Sequence, residues 1–284
     1  RAVVHHHSQP GDGVVVHMPA YHPFLHTVDE MGRRLVAVDW TGDGFDYDGL
    51  EQRLVAEPAA VWIVCHPHNP LGRVFERAEL ERIADIAIRH DLIVVSDEIH
   101  ADLTMPGHTH IPFESLGTDV SQRTVTITSA SKAFNLAGLR WAVMHAGYAP
   151  MDEVMRALPG HYLGAPNVMG VTATVAAWTD GGAWLDAVID VIDENRGALP
   201  ALLAEHLPGA SCRVIEATYL AWVDCRGLGL GDIPAEAFRA RGVELSPGVQ
   251  FGPPSSGVGA GHVRVNIATS PSILADMVRA MAGA

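Results

Sequence analysis

The stretch LIVVSDEIHADL, at residues 92–103, decides the fold class of this 284-residue chain. Its first four residues are apolar and mostly β-branched, which is typical of a strand buried on both faces of a parallel sheet. Asp97 follows that strand, where a charged side chain has no part in a hydrophobic core. Ligands of open parallel sheets bind at the carboxyl ends of the strands. The stretch therefore predicts an α/β fold and also the edge of the sheet at which a site lies.

Two further segments repeat this pattern on either side. VWIVC, at residues 61–65, precedes the turn HNPLG, and TVTIT, at residues 124–128, precedes SASKAFNLAGLR. Residues 76–90 place apolar side chains at helical spacing between two of these strands. With short apolar runs at residues 13–18 and 34–38, the pattern predicts a mostly parallel central sheet with helices on both faces.

The pattern changes in the last third of the chain. A long helical segment at residues 184–206 leads into alternating strands at residues 219–223 and 262–267. We therefore expect two domains. Residues 1–180 form a large domain, and residues 181–284 form a smaller α+β domain.

The composition excludes several classes of protein. Apolar residues make up 48% of the chain, which is enough for a large core, and the net charge of −14 opposes binding to nucleic acid. The longest uncharged stretch, residues 162–179, contains glycine, proline and asparagine, so we expect no membrane span. Three cysteines form a sparse, odd set that is typical of a reducing compartment, and we expect a cytoplasmic protein. The spacing of Cys65, His66 and His68 does not place three ligands on one centre, so we expect no metal.

Three polar residues follow three different strands of the predicted sheet. Asn69 follows VWIVC, Asp97 follows LIVV, and Lys132 follows TVTIT. Because the carboxyl ends of parallel strands meet at one edge, an amide, a carboxylate and an amine converge there.

The segments that contain these residues resemble a known family. HNPLGRVF, VVSDEIHADL and SASKAFNLAGLR are similar to segments of fold-type I pyridoxal-phosphate enzymes of the class I/II aminotransferase superfamily. Within that superfamily, PAYHPF, PHNPLGR, SDEIHADL and EATYLAW are most similar to the MalY/PatB-like cystathionine β-lyases. The similarity extends over essentially the whole chain, in the order that the family has.

The resemblance implies pyridoxal 5'-phosphate as the cofactor and a central role for three residues. Lys132 would bind the cofactor aldehyde covalently and, once the substrate amine displaces it, would move the Cα proton. Asp97 would pair with the pyridinium nitrogen and keep it protonated. Arg264, in the segment HVRVNIATSP, would hold the substrate α-carboxylate with two hydrogen bonds.

The resemblance also implies five further cofactor contacts. Asn69 would donate to the phenolic oxygen, and His100 stands where many family members carry a tyrosine that bonds the same oxygen. Ser129 and Arg140 match the ligands of the cofactor phosphate. Tyr21, within PAYHPF, matches the aromatic residue that stacks on the cofactor ring.

These residues leave the reaction itself open, since transamination, β-elimination and racemisation share one carbanion. The similarity to the lyases favours β-elimination from L-cystathionine or another L-cysteine S-conjugate, which yields thiol, pyruvate and ammonia. An aminotransferase acting on a small amino acid is the alternative. A family member without catalysis that binds a partner protein is a third interpretation.

The chain begins at Arg1, and family members have a strand and a glycine turn before this point. That turn supplies backbone N–H groups to the cofactor phosphate. The resemblance therefore predicts an N-terminally truncated chain that binds the cofactor weakly and turns over poorly. Family members are usually homodimers with shared active sites, and we expect a homodimer here, with a small-molecule amino acid as substrate.

Overall fold

Six strands form one sheet in the computed structural model, which describes residues 1–159, 162, 164–254 and 256–283. The strands are β1 (Gly13–Met18), β2 (Arg34–Asp39), β3 (Ala59–Cys65), β4 (Ile93–Asp97), β5 (Thr124–Thr128) and β6 (Val143–Ala146). They lie in the order β2-β1-β3-β4-β5-β6, and all neighbours are parallel except β5 and β6. The predicted α/β class and the mostly parallel sheet are confirmed.

Helices cover both faces of this sheet. The helices in this part of the chain are α1 (Ala2–His7), α2 (His22–Glu30), α3 (Tyr47–Ala56), α4 (Arg77–Arg89), α5 (Thr118–Ser121), α6 (Ala149–Ala157) and α7 (Val168–Asp180). Along β1, Val14 and Val16 pack in one core with side chains of α1, α2 and α6, while Val15 packs in another core with side chains of α3 and α4. Every residue of β1 is buried, which explains a strand that is apolar on both faces apart from His17 rather than alternating.

A second, antiparallel sheet of four short strands follows. It contains β7 (Ser211–Cys212), β8 (Leu220–Asp224), β9 (Ser246–Pro247) and β10 (His262–Asn266), in the order β7-β8-β10-β9. The helices α8 (Gly182–His206), α9 (Pro234–Ala240) and α10 (Pro271–Ala282) accompany it. The expected smaller α+β unit is present in this part of the chain, and the domain boundary near residue 180, which falls between α7 and α8, stays a prediction. Across the described residues, no helix combines the length and the apolar character needed to cross a membrane.

The loop after β3 packs closely against the segment that precedes β8. Gly72 has a φ of +65°, and a Cβ at this position would lie 2.6 Å from the Ile215 side chain. A larger residue would be strained there and would collide with its neighbour. The backbone N–H of Glu216 donates to the Gly72 carbonyl at 2.7 Å, and that of Thr218 donates to the Leu103 carbonyl at 2.9 Å. These contacts place β8 and β10 beside the carboxyl ends of β3 and β4.

One buried amide ties α8 to the end of β10. The Asn195 side chain is fully buried, and its Nδ2 donates to the carbonyls of Ile267 at 2.9 Å and Thr269 at 2.7 Å.

We expect Asn195→Leu to lower the free energy of unfolding by about 2–4 kcal/mol, because two buried carbonyls lose their donor. Urea denaturation measures the change. Glu194→Leu, at the exposed neighbouring position, is the matched control, and equal losses in the two variants would contradict the prediction.

Candidate active site

A cavity of about 420 Å³ lies where the carboxyl ends of β3 and β4 face the second sheet. Six of the eight residues singled out in the sequence line it: Tyr21, Asn69, Asp97, His100, Lys132 and Arg264. They come from five separate segments of the chain, and the fold brings all of them to one place. The cavity therefore lies at the edge of the sheet that the sequence predicted.

Asp97 ends β4 and is enclosed by protein except where it meets the cavity. Burial raises the pKa of its carboxyl group to about 6. A hydrogen bond from the backbone N–H of Ile99 at 3.2 Å and the positive charge of Lys132 partly oppose that rise. The carboxylate thus has one backbone donor and a cavity in front of it, and it is suited to receive a cationic N–H group.

Arg264 points into the cavity from β10 and is held by neutral groups. Its Nη1 donates to Asn69 Oδ1 at 3.0 Å, its Nη2 donates to Ser246 Oγ at 3.2 Å, and its guanidinium carbon lies 4.9 Å from the centre of the Phe251 ring. Among the described residues, no carboxylate forms an ion pair with it, and burial lowers its pKa. A half-buried guanidinium that lacks a carboxylate partner and faces a cavity is suited to bind a ligand anion.

His100 follows Asp97 by one turn and is buried against the cavity. Burial, reinforced by the positive charges of Lys132 and Arg264, lowers its pKa to about 3, so the ring is neutral at ordinary pH. Its Nδ1 has no hydrogen-bond partner among the described residues, and its edge packs on Tyr219 at 6.0 Å between ring centres.

Tyr21 stands at the start of α2 and is half-buried in the cavity wall. Its ring meets Phe24 edge to face, with the ring centres 5.7 Å apart. This packing fixes an aromatic side chain beside the space between Asp97 and Arg264.

Ser129 and Arg140 do not line the cavity. The Ser129 hydroxyl donates to the Trp141 carbonyl at 2.6 Å and accepts from the Ser131 N–H at 3.0 Å, so its hydrogen-bonding capacity is used within the loop. Arg140 is exposed and adopts a left-handed backbone conformation, with φ of +49°. The structure does not bring these two residues to the other six, and their contact with a phosphate stays a prediction.

Several functional features of the site were not predicted from the sequence. Lys132 is the only lysine in the chain, since every other basic residue besides histidine is an arginine, and a simple count would have found this. Ser246 and Phe251 hold the guanidinium of Arg264, but nothing in their local sequence marks them. Tyr219 lies in the quoted motif EATYLAW, yet only the fold shows that its ring faces His100.

The raised pKa of Asp97 has a consequence for stability. Between about pH 4 and pH 6 the folded protein retains a proton on this carboxyl group that the unfolded chain releases. Folding therefore benefits from that proton at low pH, and the benefit is lost as the pH rises through 6. Asp97→Asn stays neutral, so its stability relative to the parent should increase by about 2 kcal/mol between pH 4 and pH 8. Urea unfolding of the ligand-free protein at both values measures this difference.

The matched control is Asp85→Asn, which replaces an exposed carboxylate on α4. Its stability relative to the parent should change little between the two pH values. If Asp97→Asn behaves in the same way, the buried carboxyl group does not have the raised pKa assigned to it.

Comparisons with known proteins identify the family of the chain. The family model for aminotransferase class I and II matches residues 4–280. The chain is 36% identical to cystathionine beta-lyase PatB of Bacillus subtilis over 279 residues, which cover 96% of this chain and 71% of that protein. It is 32% identical to the protein MalY of Escherichia coli over 267 residues, which cover 91% of this chain and 67% of MalY.

Solved structures show the same relationship. The PLP-bound C–S lyase from Staphylococcus hominis superposes with a TM-score of 0.90 at 29% sequence identity, covering 99% of this chain and 74% of that protein. The match includes both sheets, because it extends over nearly every residue. The family model and the relatives lead to one conclusion: the chain belongs to the class I and II aminotransferase family, and its resemblance to the PatB and MalY type is confirmed.

Proposed function

We propose that the protein is a pyridoxal-phosphate-dependent carbon–sulfur β-lyase that cleaves L-cystathionine or another L-cysteine S-conjugate to a thiol, pyruvate and ammonia. The observation that carries the proposal is the single cavity that unites the amine of Lys132, the buried carboxyl group of Asp97 and the guanidinium of Arg264. The likeness to relatives named cystathionine beta-lyase and C–S lyase favours β-elimination over other reactions of the family.

The side chains of the cavity fit pyridoxal 5'-phosphate. Lys132 offers the only side-chain primary amine of the chain for an aldehyde, and Asp97 offers a carboxylate for a pyridinium N–H. Tyr21 offers an aromatic face, and the imidazole of His100 retains hydrogen-bonding capacity for a phenolic oxygen. When bound, the cofactor supplies an electron sink that stabilises a negative charge at the substrate Cα.

The side chains of the cavity have separate roles in substrate binding and in proton transfer. Arg264 binds the α-carboxylate, and Asn69 and Ser246 fix the plane of its guanidinium so that it approaches the carboxylate in one orientation. The amine of Lys132 accepts the Cα proton as a general base. His100 lies near Lys132 and Arg264 and is itself neutral, so it adds no positive charge to the site.

The reaction can be tested directly. The protein, incubated with pyridoxal phosphate and L-cystathionine, should release pyruvate and free thiol without any added keto acid, and Lys132→Arg should reduce this rate by at least about 100-fold because it removes the general base. The pyruvate formed is measured with lactate dehydrogenase, which reduces it to lactate. Turnover that requires a keto-acid acceptor would identify an aminotransferase instead.

The single lysine also permits an unambiguous test of cofactor attachment. Borohydride reduction of the protein with pyridoxal phosphate should place the adduct mass on the peptide that contains Lys132, as read by mass spectrometry. Lys132→Arg keeps the positive charge and lacks the amine, so it should lose that adduct. An adduct confined to the N-terminal amine would overturn both enzyme proposals and favour the regulatory interpretation.

We also propose that the protein forms a homodimer in the cytoplasm through the apolar surface of β6 and α7. Large apolar side chains are exposed there: Val143, Met144, Val168, Met169, Val175 and Trp178. The helix α7 contains one acidic residue and no basic ones. An exposed apolar patch of this kind is typical of a surface that a second copy of the same chain covers. The three unpaired cysteines are in keeping with a reducing compartment.

Analytical ultracentrifugation tests the proposed oligomeric state. We expect the parent protein to sediment as a dimer and the double variant Met169→Glu with Val175→Glu to sediment as a monomer, because two charges would be buried in the interface. Ile273→Glu changes an exposed apolar residue on α10 and is the control, which should stay dimeric. A parent protein that sediments as a monomer would refute the proposed interface.

A further inference from the structure

A further cavity, of about 580 Å³, lies where the carboxyl ends of β1 and β2 face the second sheet, and we call it the tryptophan cavity. The side chains that matter most for its chemistry are Trp40, Arg213, Trp222, Asp224 and His262. Among the residues that the structure describes, none lines both this cavity and the one that contains Lys132. Its volume is in the range of sites that enclose a small organic ligand.

Two tryptophan side chains give this cavity flat aromatic surfaces. The Trp222 ring stacks on His262, with ring centres 5.3 Å apart and an interplanar angle of 14°. The Trp40 ring meets Phe45 edge to face, with ring centres 5.1 Å apart. Both tryptophans are only half-buried, so part of each indole surface is open to a ligand. A planar aromatic ring gains most from such surfaces, because it can stack on one ring or meet its edge.

The carboxylates of the tryptophan cavity already have partners. Asp39 forms an ion pair with Arg53 at 3.5 Å, and Asp224 forms one with Arg226 at 2.6 Å. The Asp224 carboxylate also accepts from the backbone N–H of Arg226 at 2.9 Å. These two acidic groups are therefore poorly placed to attract a cationic ligand.

Arg213 is the cation of this cavity that lacks such a partner. Its Nη1 donates to the Gly42 carbonyl at 3.2 Å, and its guanidinium carbon lies 5.6 Å from the centre of the Trp40 ring. Across the described part of the chain, no carboxylate forms an ion pair with it. The cavity thus combines aromatic surfaces with a guanidinium group that can receive an anion.

We propose that the tryptophan cavity is a binding site for a planar aromatic carboxylate, whose ring stacks on the tryptophan side chains and whose anionic group pairs with Arg213. One guanidinium group matches the two oxygens and the single charge of a carboxylate. A phosphate group carries up to two charges and three acceptor oxygens, so it would remain partly unmatched here. This ligand is additional to the amino acid that we assign to Arg264.

The two binding sites are neighbours, so a test must tell them apart. Trp222 and Arg264 are directly paired across β8 and β10. The Phe251 ring contacts both, with its centre 5.2 Å from that of the Trp222 ring and 4.9 Å from the guanidinium carbon of Arg264. An aromatic carboxylate could therefore be bound by either arginine, and a separate variant of each identifies which one binds it.

Isothermal titration calorimetry with 2-naphthoate tests the proposed site on the pyridoxal-phosphate-treated protein. Arg213→Ala removes an exposed side chain, so the fold should be retained. We expect it to bind 2-naphthoate at least about 10-fold more weakly than the parent does, because a charge-assisted hydrogen bond is lost. The uncharged 2-naphthamide should bind the parent and Arg213→Ala with similar affinity, since the aromatic surfaces are unchanged.

Arg77→Ala is the matched control. Arg77 is an equally exposed arginine on α4, and it does not line the tryptophan cavity. This variant should keep the affinity of the parent for 2-naphthoate. Equal affinities in Arg213→Ala and Arg77→Ala would overturn the proposal, and so would a parent protein that does not bind 2-naphthoate.

Arg264→Ala separates this site from the proposed active site. It should retain the binding of 2-naphthoate, because Arg264 does not line the tryptophan cavity. Binding that is lost in Arg264→Ala and retained in Arg213→Ala would place the ligand beside Lys132 and refute the proposed site. Calorimetry requires no turnover, so a protein that binds 2-naphthoate through Arg213 but releases no pyruvate from L-cystathionine keeps this site and loses the proposed lyase function.

Discussion

The hydrogen bond from Arg264 to Asn69 is the interaction on which the site depends. It joins a strand of the second sheet to the loop after β3, across 195 positions of sequence. The guanidinium is half-buried, and an amide oxygen, a hydroxyl group and an aromatic face contact it without neutralising its charge. The fold thereby retains a positive charge that is available to a ligand, and it can do so only while both sheets keep their relative positions.

The charges of the cavity influence one another. Lys132 and Arg264 help to hold His100 in its neutral form, and burial pushes Asp97 toward its protonated form. A cationic ring nitrogen placed against Asp97 would reverse that second effect, because an opposite charge lowers the pKa of a carboxyl group. The cavity thus carries an electrostatic cost that a suitable ligand relieves.

The sheet and most of the site could be predicted from the sequence for a physical reason. Continuous apolar runs mark strands buried on both faces, and the polar residue after each run marks the edge where ligands bind, which is enough to place Asn69, Asp97 and Lys132. Arg264 could be identified because a charge within an alternating apolar strand requires a partner. Ser246 and Phe251 could not be found, since their role depends on which loop lies beside β10. Ser129 and Arg140 match the phosphate ligands of the family by motif alone. In the structure the Ser129 hydroxyl donates to a backbone carbonyl, and Arg140 is exposed to solvent.

The choice among reactions depends on features that no motif encodes. Lys132, Asp97 and Arg264 suffice to place an amino acid and remove its Cα proton, and every reaction of the family begins in this way. What happens next depends on where the side chain of the substrate lies and whether a leaving group can depart. Lys132, Asp97 and Arg264 line one cavity and serve the steps that these reactions share. The likeness to relatives named cystathionine beta-lyase and C–S lyase is therefore what favours elimination over transamination for this chain.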